Sequence, residues 1–198
     1  MKLESENTSK FDAAISDNIV LFFDLDGTLV DTDYANFLSY KKSVETVTTF
    51  NSNFTYNPDK RFTRTELKSA IPNLTDKQLF ALISEKEKYY SDFLSETKLN
   101  EEVAKILCKY YLTNKTVLVT NCRKDRALET LNYYGLTDKF SNFFFRQFGR
   151  DNAKINKFQN AISVLGLKPS VIIAFENEET EIADAKRAGI QIINPKIF

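Results

Sequence analysis

Apolar residues follow two rhythms along this chain. Near the start, Ile19 to Phe23 form an unbroken run that ends at Asp24. An uninterrupted run, rather than alternation, predicts a strand of a parallel sheet covered on both faces. Shorter runs of the same kind follow at 116–120 (TVLVT), 170–175 (SVIIAF) and 190–193 (IQII). Between them, helical spacing dominates. RKDRALETLNYYG, AKINKFQNAISVLG and ETEIADAKRAG each read as a helix closed by a glycine, at Gly135, Gly166 and Gly189. FSNFFFRQF, 140–148, reads as a strand or an aromatic-rich connection.

From Asp33 to about Asn114 the pattern is mostly helical. TDYANFLSYKKSVETV is one amphipathic stretch. LTDKQLFALISEKEKYYSDFL is a second, with Thr75 or Asp76 as its N-cap and Lys86 interrupting an apolar stripe. LNEEVAKILCKYYL is a third, capped by Asn100. A looser stretch with Pro58 and Pro72 separates the first two. Strands alternating with helices of this length predict an α/β fold: a Rossmann-like parallel sheet core flanked by helices, with a helical insertion after the first strand. The expected boundaries are a polar lead-in over 1–17, a core formed by 18–32 and 97–198, and the insertion over 33–96.

Charge narrows the function. Lys plus Arg equals Asp plus Glu, 27 each, so nothing suggests a nucleic-acid footprint or an anionic membrane partner. The apolar runs are too short to span a bilayer, and the polar start lacks a signal-peptide core. A cytoplasmic protein, monomer or homodimer, is expected. Cys108 and Cys122 form neither a metal spacing nor a disulfide framework. The chain contains no histidine, which excludes His-dependent triads and His-based zinc sites.

In open parallel sheets, ligands bind beyond the carboxyl ends of the strands. The first run delivers Asp24 and Asp26 there, the second Thr120 and Asn121, and the third Glu176, Asn177, Glu178 and Glu181. Lys154 opens the helix before that last group. So many hard oxygen donors, with no sulfur or imidazole ligand set, point to Mg²⁺. With a dication and Lys154 nearby, Asp24 can stay ionised and act as a nucleophile, while Asp26 gives and takes a proton. Thr120 and the amide after it suit the oxygens of a transferring phosphoryl group, and Lys154 offsets their charge. Arg123 is a candidate for a distal anionic group on the substrate, although a first-turn arginine is more often simply exposed. Lys60, Arg61 and Arg64 form a basic stretch that can meet an anionic substrate or face solvent. A calcium loop is disfavoured, because Thr28, Leu29 and Val30 stand where it needs further acids.

FDLDGTLVDTD resembles the first motif of the haloacid dehalogenase-like hydrolases, most of which are Mg²⁺-dependent phosphatases. VLVTNCRKDRALETLNYYGL is similar to their second motif, and ISVLGLKPSVIIAFENEETEIADAKRAGI to the segment through the fourth. The resemblance covers about residues 19–194. It implies a helical cap over 33–96, an aspartyl-phosphate on Asp24 and Asp26 as general acid/base, with its backbone carbonyl on the metal. It places Asn177 where a metal-binding Asp is usual and Glu181 at the later acidic position, giving Asp24, Asp26, Asn177 and Glu181 as the metal set. It sets Asn152 at the usual place of the third-motif lysine. Lys154, at the helix N-terminus, is preferred for that role over Lys157, which lies off the apolar stripe and is expected in solvent. The implied activity is hydrolysis of a small phosphorylated metabolite. A phosphomutase and a catalytically weakened phosphate- or metal-binding regulator, motivated by Asn177, are the alternatives.

Overall fold

A computed structural model describes residues 15–49, 53–148 and 154–195. Five strands form one parallel sheet in the order β5-β4-β1-β6-β7: β1 (Val20–Phe23), β4 (Lys115–Val119), β5 (Asn142–Phe144), β6 (Ile172–Phe175) and β7 (Ile192–Ile193). The central strand β1 pairs with β4 on one side, Val20 opposite Lys115, and with β6 on the other, Val20 opposite Ile172. This is the α/β, Rossmann-like arrangement that the alternating pattern predicts.

The unbroken apolar run of β1 follows from its two covered faces. Leu21 and Phe23 enter one core cluster with Leu107, Leu118, Leu131 and Phe175. Val20 and Phe22 enter the other with Val117, Phe158, Ile162 and Ala185. Helices α4 (Glu101–Tyr110) and α5 (Lys124–Tyr133) cover the first face, and α6 (Lys157–Leu165) and α7 (Glu179–Arg187) the second. Phe23 stacks on Phe175 with ring centroids 4.8 Å apart, which ties β1 to β6 next to the carboxyl ends. Residues 140–148 contain the short strand β5 and continue into irregular chain.

A two-stranded antiparallel ribbon, β2 (Val30–Asp31) with β3 (Lys98–Leu99), leads into and out of the helical segment. Asn100 fastens this neck: its N–H donates to the Leu29 carbonyl at 2.9 Å and its side-chain amide to the Thr28 carbonyl at 3.0 Å. Between the two strands lie α1 (Asp33–Val47), α2 (Arg64–Ala70), α3 (Asp76–Tyr89) and a 3-10 turn over Tyr90–Glu96. Capping boxes start α2, through Thr63 and Glu66, and α3, through Thr75 and Gln78. These helices have their own core of Phe37, Tyr40, Val44, Phe62, Leu67 and Leu82, with Phe54 stacked on Phe62. Among the described residues, no helix is long and apolar enough to cross a membrane.

Candidate active site

The site begins with the way β1 ends. Asp24 continues the sheet, its N–H donating to the Phe175 carbonyl at 3.0 Å, and its side chain is 7% exposed. The chain then turns at Gly27, whose φ of +86° favours glycine. A Cβ there would also stand 2.5 Å from the Asn177 amide nitrogen, so the turn after β1 and the loop after β6 meet with no room for a side chain. Thr28 Oγ1 fixes that junction by donating to Asn177 Oδ1 at 2.9 Å.

Asp24, Asp26, Thr120, Asn121, Lys157, Glu176 and Glu181 line one cavity of about 180 Å³ at the carboxyl edge of the sheet. Thr120 is buried, and its Oγ1 accepts the Cys122 N–H at 3.0 Å, which leaves its own O–H to donate to a ligand. The Asn121 side chain donates to Glu181 Oε2 at 2.8 Å.

The lysine of this site is Lys157, not Lys154. Lys157 Nζ donates at 2.6 Å to Asp24 Oδ1 and at 2.6 Å to Glu176 Oε2, and its side chain is 3% exposed. Lys157 is the first residue of α6, and Asn156 caps that helix by accepting the N–H groups of Phe158 and Gln159. The amine therefore projects from the helix start toward the strand ends. Lys154 lies ahead of the helix, half exposed, and its amine ends on Glu181. Asn152, the usual position for this lysine, falls outside the described residues. Two other expected site residues have partners of their own. Arg123 turns back to Asp125, with Nη2 2.8 Å from Oδ2, and does not line the cavity. Glu181, expected on the metal, has its carboxylate engaged by Asn121 and Lys154, with Lys157 Nζ at 3.6 Å.

The two neighbouring aspartates have opposite surroundings. Burial pushes the Asp24 carboxyl up to about 7; Lys157 opposes that shift and Glu176 reinforces it. Burial acts the same way on Asp26, but the guanidiniums of Arg126 and Arg61 and the Thr32 hydroxyl hold its carboxyl well below the usual range. Arg126 Nη2 lies 2.5 Å and Arg61 Nη2 3.4 Å from Asp26 Oδ2, and Thr32 donates to Oδ1 at 2.7 Å. As it stands, Asp26 is a carboxylate turned toward the arginines.

Arg126 is absent from the sequence reading, and Arg61 enters it only as part of a basic stretch. Arg126 sits one turn after Cys122, whose Sγ accepts its Nε–H at 3.0 Å, and it packs over the Tyr90 ring. Burial raises the Cys122 thiol to about 12, which keeps it protonated and inert.

The haloacid dehalogenase-like hydrolase family model matches residues 21–194. The chain belongs to the haloacid dehalogenase-like hydrolases. A search of curated proteins finds no match. Among solved structures, this hydrolase is similar to a haloacid dehalogenase-like family hydrolase from Streptococcus pneumoniae, with a TM-score of 0.69, 15% identity and coverage of 90% of this chain and 84% of that one. A protein described as a predicted phosphoglycolate phosphatase from Haemophilus somnus gives 0.67 at 22% identity, covering 88% and 84%. CbbY from Rhodobacter sphaeroides, in complex with phosphate, gives 0.66 at 14% identity, covering 89% and 85%. At these identities the likeness concerns the fold.

The family implies a Mg²⁺ ion beside Asp24. No group of three or more acidic or cysteine side chains gathers in metal-binding fashion among the described residues. Asp24 and Asp26 line the cavity with Glu176, Glu178 and Glu181, all hard oxygen donors, and Lys157 offsets both Asp24 and Glu176; Asn177 lines the adjoining space with Asp26, its amide oxygen accepting from Thr28. Such a set fits Mg²⁺, which takes few protein ligands and keeps several waters.

Proposed function

We propose that this hydrolase is a Mg²⁺-dependent phosphate monoesterase acting on a small phosphorylated metabolite through an aspartyl-phosphate on Asp24. The observation that carries this reading is the Lys157 ammonium held between Asp24 and Glu176, in a cavity shared with the Thr120 hydroxyl. A cation and a hydroxyl beside a buried carboxylate suit a phosphoryl group bound next to its nucleophile. Mg²⁺ held by Asp24, the Asp26 carbonyl and Asn177 would supply positive charge against the phosphoryl oxygens.

In the first step an Asp24 oxygen bonds to phosphorus as the ester P–O bond breaks, and the leaving oxygen takes a proton from Asp26. In the second, Asp26 accepts a proton from water as that water bonds to phosphorus. The P–O bond to Asp24 then breaks and phosphate leaves. Asp26, ionised by Arg126 and Arg61, suits the second step as it stands. For the first it must be released from the arginines and protonated. The helices between β2 and β3 act as the cap, and Arg61 is their contribution to the cavity. Both cysteines are free, which suits a reducing compartment.

The test is phosphate release from p-nitrophenyl phosphate with and without Mg²⁺. Asp24→Asn is expected to fall to background; turnover that persists would remove Asp24 as the nucleophile. Asn177→Asp adds a charge to the metal set and is expected to tighten Mg²⁺ binding about tenfold by calorimetry. A wild type that is silent until Asn177→Asp restores turnover would favour the regulator reading, for which Asn177 is the specific motive.

A further inference from the structure

Arg146 stands just beyond β5 and lines the same cavity as Asp24, Thr120 and Lys157. Its backbone N–H donates to the Cys122 carbonyl at 3.1 Å, which fixes its place beside the loop after β4. The other cations of the cavity are all committed. Lys157 is shared by Asp24 and Glu176, Arg126 is bound to Asp26, and Arg61 to Asp26 and Asp33. Among the described residues, the Arg146 guanidinium has no carboxylate partner. The guanidinium lies by the Phe148 ring, 5.3 Å away. Burial, then the nearby Arg64, lower its pKa, and the Glu87 charge only partly opposes them.

The two spaces that adjoin the cavity differ in sign. One, of about 710 Å³, is lined by Asp26, Asp33, Glu178 and Glu179, with Arg61 as its cation. The other, of about 490 Å³, is lined by Arg123, Lys124 and Arg146, with Leu128 and Phe148 as apolar wall and Asp125 paired to Arg123. Arg146 is the residue common to the cavity and this basic groove. An ester with a neutral tail has no electrostatic reason to choose between the two openings. A tail with a second negative charge is repelled from the acidic one and drawn past Arg146.

We propose that Arg146 is a specificity-determining residue that receives a second anionic group, carboxylate or phosphate, on the organic part of the ester held at Asp24. This rests on the phosphate-ester reading above and adds the chemical class of the tail. The subsite is placed on Arg146 rather than on Arg123, whose guanidinium is already occupied by Asp125.

The experiment is calorimetric binding to full-length Asp24→Asn protein in Mg²⁺ buffer at fixed ionic strength. The probes are inorganic phosphate, 2-hydroxyethyl phosphate, 2-phosphoglycolate and ethylene glycol bisphosphate. A charge-assisted contact should make one or both anionic-tail probes bind about tenfold tighter than the hydroxyethyl ester. The stronger of the two identifies the tail as carboxylate or phosphate. Adding Arg146→Met should reduce the preference below about twofold, Arg146→Lys should restore part of it, and Arg123→Met should leave it in place. Equal affinities for all three esters, or a preference that survives Arg146→Met, would overturn the proposal while phosphate binding kept the phosphatase reading intact. Failure of every probe, inorganic phosphate included, would overturn both. Thermal melts of each variant show that it is folded.

Discussion

Lys157 in the sheet core and Lys86 in the helical segment are buried to nearly the same degree, with side chains 3% and 2% exposed. Both ammonium groups also lie near aromatic rings, Lys157 by Phe158 and Lys86 by Tyr40 and Tyr90. Their acidities nevertheless move in opposite directions. Burial lowers both, but Asp24 and Glu176 hold Lys157 above the ordinary lysine range. For Lys86, burial and the Arg126 charge outweigh Glu87, 3.5 Å away, and the more distant Asp26, and it falls to about 8. The second oxygen of Glu87, buried, has no hydrogen-bond partner among the described residues. Burial sets the cost of a charge, and partners decide whether the fold offsets it. The core holds its ammonium as a fixed cation, whereas the helical segment holds one that gives up its proton about a pH unit above neutrality.

Removing each amine should sharpen that contrast. Lys157→Met leaves Asp24, Glu176 and Glu181 buried together without their shared cation. Unfolding free energy should drop by roughly 3–5 kcal/mol at neutral pH in denaturant titrations. Phosphate release should fall roughly a hundred- to thousandfold. A Lys157→Met protein as stable and active as wild type would mean that the core amine is not the fixed cation described here. Lys86→Met should act in the opposite sense. Folded Lys86 binds its proton less tightly than the unfolded chain does, 8 against 10.5. Wild-type stability should therefore climb, relative to Lys86→Met, between about pH 8 and pH 10.5, by about 3 kcal/mol in all. Below pH 8 Lys86→Met should be the more stable protein. Parallel stability curves for the two would erase the distinction. Lys154→Met should have the smallest effect, within about 1 kcal/mol in the same titrations, because its half-exposed amine is screened by water.

The sheet was largely legible because its signal is redundant. The runs at 19–23 and 170–175 contain β1 and β6, the run at 116–120 overlaps β4 but for Lys115, and the glycines at 135, 166 and 189 follow α5, α6 and α7, each at positive φ. Asp24 and Thr120 were legible as strand ends. The cations were not, because a buried ion pair leaves no periodic trace. Lys157 looked solvated beside the stripe of Ile155, Phe158 and Ile162. Its partner on that helix face is Ala161, four residues on and fully buried, a small side chain that gives a weak apolar signal. Lys86 did leave a trace: it was the polar break in the stripe through Leu82 and Tyr90, both fully buried. Arg126 meets Asp26 across 100 residues, a contact that local pattern cannot show. Arg146 follows a strand of three residues in an aromatic stretch, where neither period singles it out.

The place of β1 in the sheet also has a bearing on biosynthesis. Among the described strands, β1 comes first in the sequence and lies in the middle of the sheet, and its second neighbour, β6, is encoded about 150 residues later. Until Ile172–Phe175 emerges, one side of Val20–Phe23 stays open as an apolar edge, able to pair with another nascent chain. The strand that leads into Asp24 thus gains its second neighbour only late in translation, and a polypeptide cut short before residue 172 would lack both β6 and the Glu176 that meets Lys157.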